Sequence, residues 1–348
     1  MSRVILAVSI SLILKATPAT DPILAAAEKM EPDVARAFIQ AVAAAKAKID
    51  MKALAQAIQN NDQDAAMEIL GDVTANFAAA LEGAGIPAGS QSFKDVLQAT
   101  FAAGGTAAIT ALPPSIVTAN LRFDMTNPEA IEHLNSYAFD LIQQVTQDQR
   151  DAIQQIITRA FKEGGHPIEQ ARSIREIIGL TSKQEQAVAN YREALEGGNY
   201  QQALDRALRD ARFDPTLRGA IQSEKPLSQE YIDKLVGRYR EKYLKYRAEN
   251  VARTETARAS AQGQRALWNA ASKQGLLPKT TKRIWICSGD DRTCDQCLDL
   301  GDSEPVGLDE PFEDGTMDAP AHCSCRCSTG IDPDSLDAPD ETETEDAA

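Results

Sequence analysis

Residues 285–301 read WICSGDDRTCDQCLDLG and residues 322–327 read HCSCRC. All six cysteines lie between Cys287 and Cys327, and the 286 residues before Cys287 contain none. A disulfide scaffold spreads its bridges through the chain it stabilises, whereas a local metal knot concentrates its thiols. Cys294-x-x-Cys297 places two thiols on one tight turn, and 24 residues separate Cys297 from His322-x-x-Cys325. Together Cys294, Cys297, His322 and Cys325 make a four-coordinate Cys3His set, in which Cys327 could replace Cys325. Cys287 and Cys323 fall outside it. Thiolates with an imidazole suit Zn2+, and a site closed by four protein ligands is structural rather than catalytic. The intervening GDSEPVGLDEPFEDGTMDAP (301–320) has little apolar core, so ion binding would supply folding free energy there. Three other readings stay open: disulfides, with fifteen possible pairings of six cysteines; a Cys-x-x-Cys redox pair, which here lacks its usual βαβ setting; and free thiols.

Upstream, the chain reads as helices. Aromatics are only 5% of the residues and alanine is abundant, a composition for thin, closely packed helices. From about Asp21 to Leu112 the pattern is alanine-rich, punctuated at Gly83–Gly85, Gly104-Gly105 and Pro113-Pro114. A short extended segment is expected at 116–125. Later helix starts are signalled by Asn127-Pro128-Glu129 and Asp214-Pro215, by the capping-box spacing Thr181…Gln184 and by Ser228; Gly164-Gly165 and Gly197-Gly198 mark helix ends. His166, before a proline, reads as a cap. Ile232, Leu235, Val236, Tyr239, Tyr243 and Tyr246 recur at helical steps and predict one buried stripe. Lys234, Arg238, Lys242 and Lys245 run beside it, either as a solvated basic face or as a contact for DNA or an acidic partner. In MSRVILAVSISLILK (1–15) strict alternation of apolar residues predicts a strand; a secretion signal is the competing reading, and the apolar run is too short to span a bilayer.

Charge is strongly polarised. The formal net charge is −15, which opposes non-specific nucleic-acid binding by the whole molecule. Yet Asp233–Arg283 holds 13 Lys/Arg against 4 Asp/Glu, Ser288–Asp314 holds 10 acids and one base, and Asp332–Ala348 holds 8 acids and no base.

The blocks VARTETARASAQGQR, RIWICSGDDRTCDQC, LDEPF and AHCSCRC, in this order and spacing, resemble the phage Mu F-like minor head protein family. The matching positions are Arg253, Thr254, Glu255 and Thr256; Trp285; Asp290, Asp291, Arg292, Cys294 and Cys297; and His322, Cys325, Arg326 and Cys327. Cys323 departs from the pattern, which usually has proline there. The resemblance implies a minor structural protein of a tailed bacteriophage virion, associated with the portal and the head, acting in capsid assembly or in genome packaging and delivery. Its expected partners are the portal protein and the major capsid protein, with assembly in the host cytoplasm. Read from the residues, Glu255 can pair with Arg258 three positions on, so that the motif serves helix packing and solubility; the sharper reading is that Arg253 or Glu255 ties its helix to the metal module through Asp291 or Arg292.

The expected architecture is mainly α with a small α+β C-terminal module: an apolar strand-like segment (1–20), an Ala-rich helical domain (21–115), a helical core (116–282), a zinc-knuckle-like Cys/His module (283–330) and a disordered acidic tail (331–348). No stable membrane span is expected. Nor is enzymatic activity, since the chain has three histidines, no Gly-rich phosphate loop, no Gly-x-Ser-x-Gly and no His-Glu-x-x-His. The alternatives are a zinc-dependent enzyme or toxin-like effector carried in the virion, and a head-interior protein that binds packaged DNA through the basic helix.

Overall fold

The computed structural model describes residues 21–112, 116–117, 122–123, 125, 128–163, 166–289, 291 and 293–336. The N-terminal strand-like segment, most of the extended segment expected at 116–125, Arg292 and residues 337–348 of the acidic tail lie outside them; the start of the tail, 331–336, ends the last strand and forms a short helix. The fold is mainly α with a small C-terminal sheet. The helices are α1 (Pro22–Ala47), α2 (Met51–Gln59), α3 (Gln63–Leu81), α4 (Phe93–Ala111), α5 (Pro128–Glu163), α6 (Pro167–Glu176), α7 (Ser182–Glu196), α8 (Tyr200–Leu204), α9 (Asp214–Ser223) and α10 (Gln229–Lys273). Strand β1 (Lys282–Ile286), α11 (Asp295–Asp302), β2 (Val306–Gly307), β3 (Ser328–Ile331) and α12 (Pro333–Leu336) follow. Chain contacts divide the molecule into two compact units, one of residues 1–34, 95–137 and 250–348, the other of residues 35–94 and 138–249.

The second unit is helical throughout. The Thr181–Gln184 capping box forms with both of its hydrogen bonds, and Pro167 and Pro215 sit in the first turns of α6 and α9. His166 occupies the N-cap position of α6, but its side chain makes no cap bond; only its extended backbone serves the turn. Along the first half of α10, Ile232, Leu235, Val236 and Tyr239 are buried as their spacing requires. The stripe does not reach Tyr246, which is 46% exposed. Its place is taken by Arg247, whose Nη1 donates to the Gly179 carbonyl at 3.0 Å while the guanidinium lies 5.6 Å from the Phe38 ring centre. Burial pulls the Arg247 pKa down to about 10, with Asp148 opposing the shift. Gly179 has φ +95°, and a Cβ there would press on Leu244 and Val42 at 2.7–2.8 Å. Only glycine both turns the chain and fits against Leu244 and Val42.

In the first unit, Ile23, Ala108, Leu112, Ile116, Leu267, Trp268, Ala271 and Leu277 form a core. Gly104 and Gly105 do not break the chain as their pairing suggested; both lie inside α4. The reason is close approach: a Cβ on Gly104 would overlap the Ser260 backbone, and one on Gly263 would overlap the Phe101 carbonyl. Glycine costs helix propensity, here offset by backbone-to-backbone packing of α4 on α10. Asp21 caps α1, accepting from the Ile23 N–H at 2.7 Å, and its other oxygen accepts from Ser328 on β3.

The C-terminal sheet has the order β2-β1-β3, antiparallel throughout, with Trp285 opposite Thr329. The outer edge of β3 is not left open to pairing. Gln264 of α10 donates to the Thr329 carbonyl at 3.0 Å and accepts from the Thr329 hydroxyl, which blunts a sheet edge. Arg283 on β1 is fully buried. Its guanidinium donates to the carbonyls of Gly307, Met317 and Glu310 and to Asp318 Oδ1 at 2.7 Å, and lies 5.3 Å from the Phe312 ring centre. Arg265 of α10 adds bonds to Asp318 at 3.0 Å and to Asp309 at 3.2 Å. Two arginines therefore hold an acidic, proline-rich crossing whose buried apolar anchors are few, chiefly Phe312 and Ala319.

Candidate metal centre

The crossing held by Arg283 and Arg265 returns the chain to where it left β1, and the Cys/His residues meet there. Cys294 is the N-cap of α11 and Cys297 lies in its first turn, so one helical turn presents both thiols. In the turn before β3 Ser324 adopts φ +59°, and the Cys325 N–H donates to the His322 carbonyl at 3.2 Å. This turn brings His322 and Cys325 to one side. Ser324 is itself held by α10: its N–H donates to Thr254 Oγ1 at 2.9 Å and its hydroxyl to Asn250 Oδ1 at 3.1 Å.

His322 Nε2 lies 3.1 Å from Cys294 Sγ and 3.2 Å from Cys297 Sγ, and Cys297 Sγ lies 3.6 Å from Cys325 Sγ. Ligands about 2.0–2.3 Å from a tetrahedral ion stand about 3.6–3.8 Å apart, so these separations are within a few tenths of an ångström of a coordination shell. His322 Nδ1 lies 3.0 Å from the Cys323 carbonyl oxygen. A carbonyl only accepts, so Nδ1 carries the proton and the Nε2 lone pair faces the thiols, the arrangement found behind metal-bound histidines. The donors form two overlapping triads, Cys294–Cys297–His322 and Cys297–Cys325–Cys327, each with ligand atoms within 4.8 Å of one another. All six cysteines are unbridged. The donor set therefore fits a metal ion.

The electrostatics point the same way. Cys325 is pulled down to about 5, above all by the hydrogen bond from the Cys327 side chain. Burial pushes Cys297 up to about 12, and Cys327 is pushed up first by its bond to Cys325 and then by burial. Packed thiols cannot all ionise against one another. A soft dication removes that conflict, since coordinated thiols are deprotonated outright. A cavity of about 210 Å3 opens on the donors, and Arg253 and Arg326 line it with Ser288, Thr293 and Ser324.

Residues 189–330 match the model of the family described as "Phage Mu protein F like protein". This region resembles the Mu F-like family. The match takes in α10, the sheet and every cysteine. No curated protein and no solved structure matches the chain.

Within the Mu F-like region the remaining motif residues are placed as follows. Trp285 is buried and meets Phe312 edge-on at 5.5 Å, in a cluster that includes Cys297, Cys325 and Cys327. Arg253 pairs with Glu31 of α1 at 3.7 Å, and Glu255 with Arg258 at 3.2 Å. Bonds from Asn250, Thr254, Gln264 and Arg265 join α10 to the module. Thr254, Gln264 and Arg265 lie in the block VARTETARASAQGQR and Ser324 in AHCSCRC, but no local pattern assigns their contacts, because their partners are 44 to 74 residues away. The four cations of the basic face are each engaged locally. Lys234 lies 5.5 Å from the Phe213 ring centre, Arg238 pairs with Glu241 at 2.7 Å, Lys242 donates to the Arg209 carbonyl at 3.1 Å and Lys245 pairs with Glu249 at 3.6 Å. Among the described residues no helix is long and apolar enough to cross a membrane.

Proposed function

We propose that this protein is a minor structural protein of a tailed-phage head, seated at the portal and contacting the portal or major capsid protein, and acting in capsid assembly or genome packaging and delivery. The observation that carries this reading is the match of residues 189–330 to the Mu F-like family. In it, residues 283–330 act as one module organised by a structural zinc ion on Cys294, Cys297, His322 and Cys325. Zinc suits a set of thiolates and one imidazole better than harder metals do, and a filled four-ligand shell leaves no open position for a substrate. Three thiolates and a neutral histidine around Zn2+ carry one net negative charge, which the arginines lining the same cavity offset.

Two experiments test the reading. Mass spectrometry of purified virions should detect the polypeptide at low copy, and phage lacking its gene should accumulate heads that fail to become infectious; virions without the polypeptide would overturn the assignment. Elemental analysis of the purified chain should find zinc, with Cys294→Ser and His322→Ala both losing it along with thermal stability. Zinc-free, fully folded protein would remove the metal half of the proposal.

A further inference from the structure

A single four-ligand ion leaves two inward-facing thiols unused. Cys327 is 2% exposed and forms a triad of possible ligands with Cys297 and Cys325. Cys287 is the more informative of the two. Its thiol donates to the Cys297 carbonyl at 2.6 Å, and its side chain packs against the cluster that holds Cys297, Cys325 and Cys327. Room for it is made by Gly301, where a Cβ would stand 2.5 Å from the Cys287 sulfur. By contrast Cys323, the sixth cysteine, is exposed and turned toward Thr254, 3.5 Å away. Four thiols and one imidazole thus make up the two triads, Cys287 packs beside them, and Cys323 is left out.

Two tetrahedral ions need eight ligand contacts. Six donors supply eight when two of them bridge. The two sulfurs placed to bridge are Cys297, which belongs to both triads, and Cys325, 3.6 Å from it. That separation is the shared edge of two tetrahedra with metal–sulfur bonds of about 2.3–2.4 Å, which sets the ions about 3 Å apart. Cys294 and His322 then complete one ion, and Cys287 and Cys327 the other. We infer that the knot is a dinuclear zinc centre, with a second ion on Cys287 and Cys327 joined to the first through the Cys297 and Cys325 thiolates. Burial explains why a second ion belongs there: three packed thiols in a water-poor site are costly as thiolates and poor as hydrogen-bond donors to one another, and a dication satisfies all three. Five thiolates and two Zn2+ carry the same single negative charge as the one-ion centre.

This inference rests on the proposal that the module binds zinc, and one measurement separates their failures. The full chain, purified under reducing conditions, should contain two zinc ions, and the metal-free chain titrated with Co2+ should gain thiolate-to-metal absorbance up to two equivalents. X-ray absorption at the zinc edge should show a metal neighbour at about 3 Å. Cys287→Ser should reduce the content from two ions to one, and Cys323→Ser should leave it at two. Saturation at one equivalent overturns the dinuclear centre and leaves the single zinc site standing. No bound metal overturns both, and two ions unaffected by Cys287→Ser or Cys327→Ser would place the second ion elsewhere and overturn the inference. The titration uses the parent chain, so a variant that fails to fold does not leave the question undecided.

Discussion

Replacing Arg283 with methionine keeps the apolar stem but removes a guanidinium that is fully buried. Asp318 would keep its 3.0 Å bond to Arg265, so it is not left as an isolated buried charge. Breaking a buried pair by deleting one partner costs about 3–5 kcal/mol, and the retained Arg265 places this case at the lower end. The carbonyls of Gly307, Glu310 and Met317 lose a charged donor at the same time. They belong to a surface crossing that water can reach, so they add about 1 kcal/mol together rather than about 1 kcal/mol each. The expected loss is about 4 kcal/mol, a large share of a stability of roughly 5–15 kcal/mol. Both tryptophans, Trp268 and Trp285, lie in the unit concerned, so urea unfolding followed by tryptophan fluorescence reports it directly. The midpoint should fall with little change in slope. Because the crossing also delivers His322 to Cys294 and Cys297, zinc affinity in a chelator competition should drop in parallel. A loss below about 1 kcal/mol, the value of an ordinary surface ion pair, would refute the view that Arg283 holds the crossing.

Thr254→Val removes the acceptor for the Ser324 N–H and should cost about 1–2 kcal/mol; a thermal melt and a chelator competition should both register it, and no change in either would show that α10 does not set the ligand turn. Gly263→Ala forces a Cβ into the Phe101 backbone and should destabilise by about 1–3 kcal/mol. Gly237→Ala, with nothing within 4 Å, should instead gain up to about 1 kcal/mol, and equal effects at the two sites would deny the close approach of α4 and α10. Asp210 is held down to about 2, first by the hydrogen bond from Arg212, against an ordinary 3.8. A depressed carboxylate stabilises above its unfolded pKa and loses that contribution as pH falls through its folded one. Asp210→Asn should therefore be less stable than the parent at neutral pH, with the difference closing between about pH 4 and pH 2; a constant gap across that range would contradict the Arg212 contact.

Local rules made much of the molecule legible. Proline and capping signals located α6, α7 and α9 because they act within one turn, and helical periodicity found the buried side of α10. The clustering of all six cysteines pointed to a metal knot, since a Cys-x-x-Cys pair needs only one turn to converge. The reading erred where a distant neighbour sets the outcome. Gly104-Gly105 looks like a break and is a helix contact, because Ser260 lies against it; Tyr246 continues a pattern that Arg247 takes over, because the Gly179 carbonyl waits there. The sequence by itself determined which residues could bind a metal and that they would lie in one acidic, core-poor segment. Tertiary structure decided which donors face one another, by sealing Arg283 and Arg265 onto Asp318 and tying Ser324 to Asn250 and Thr254. Those bonds join residues far apart in the chain and depend on geometry that no local pattern encodes. Tertiary structure also packed Cys287 against the cluster of Cys297, Cys325 and Cys327 and left Cys323 exposed.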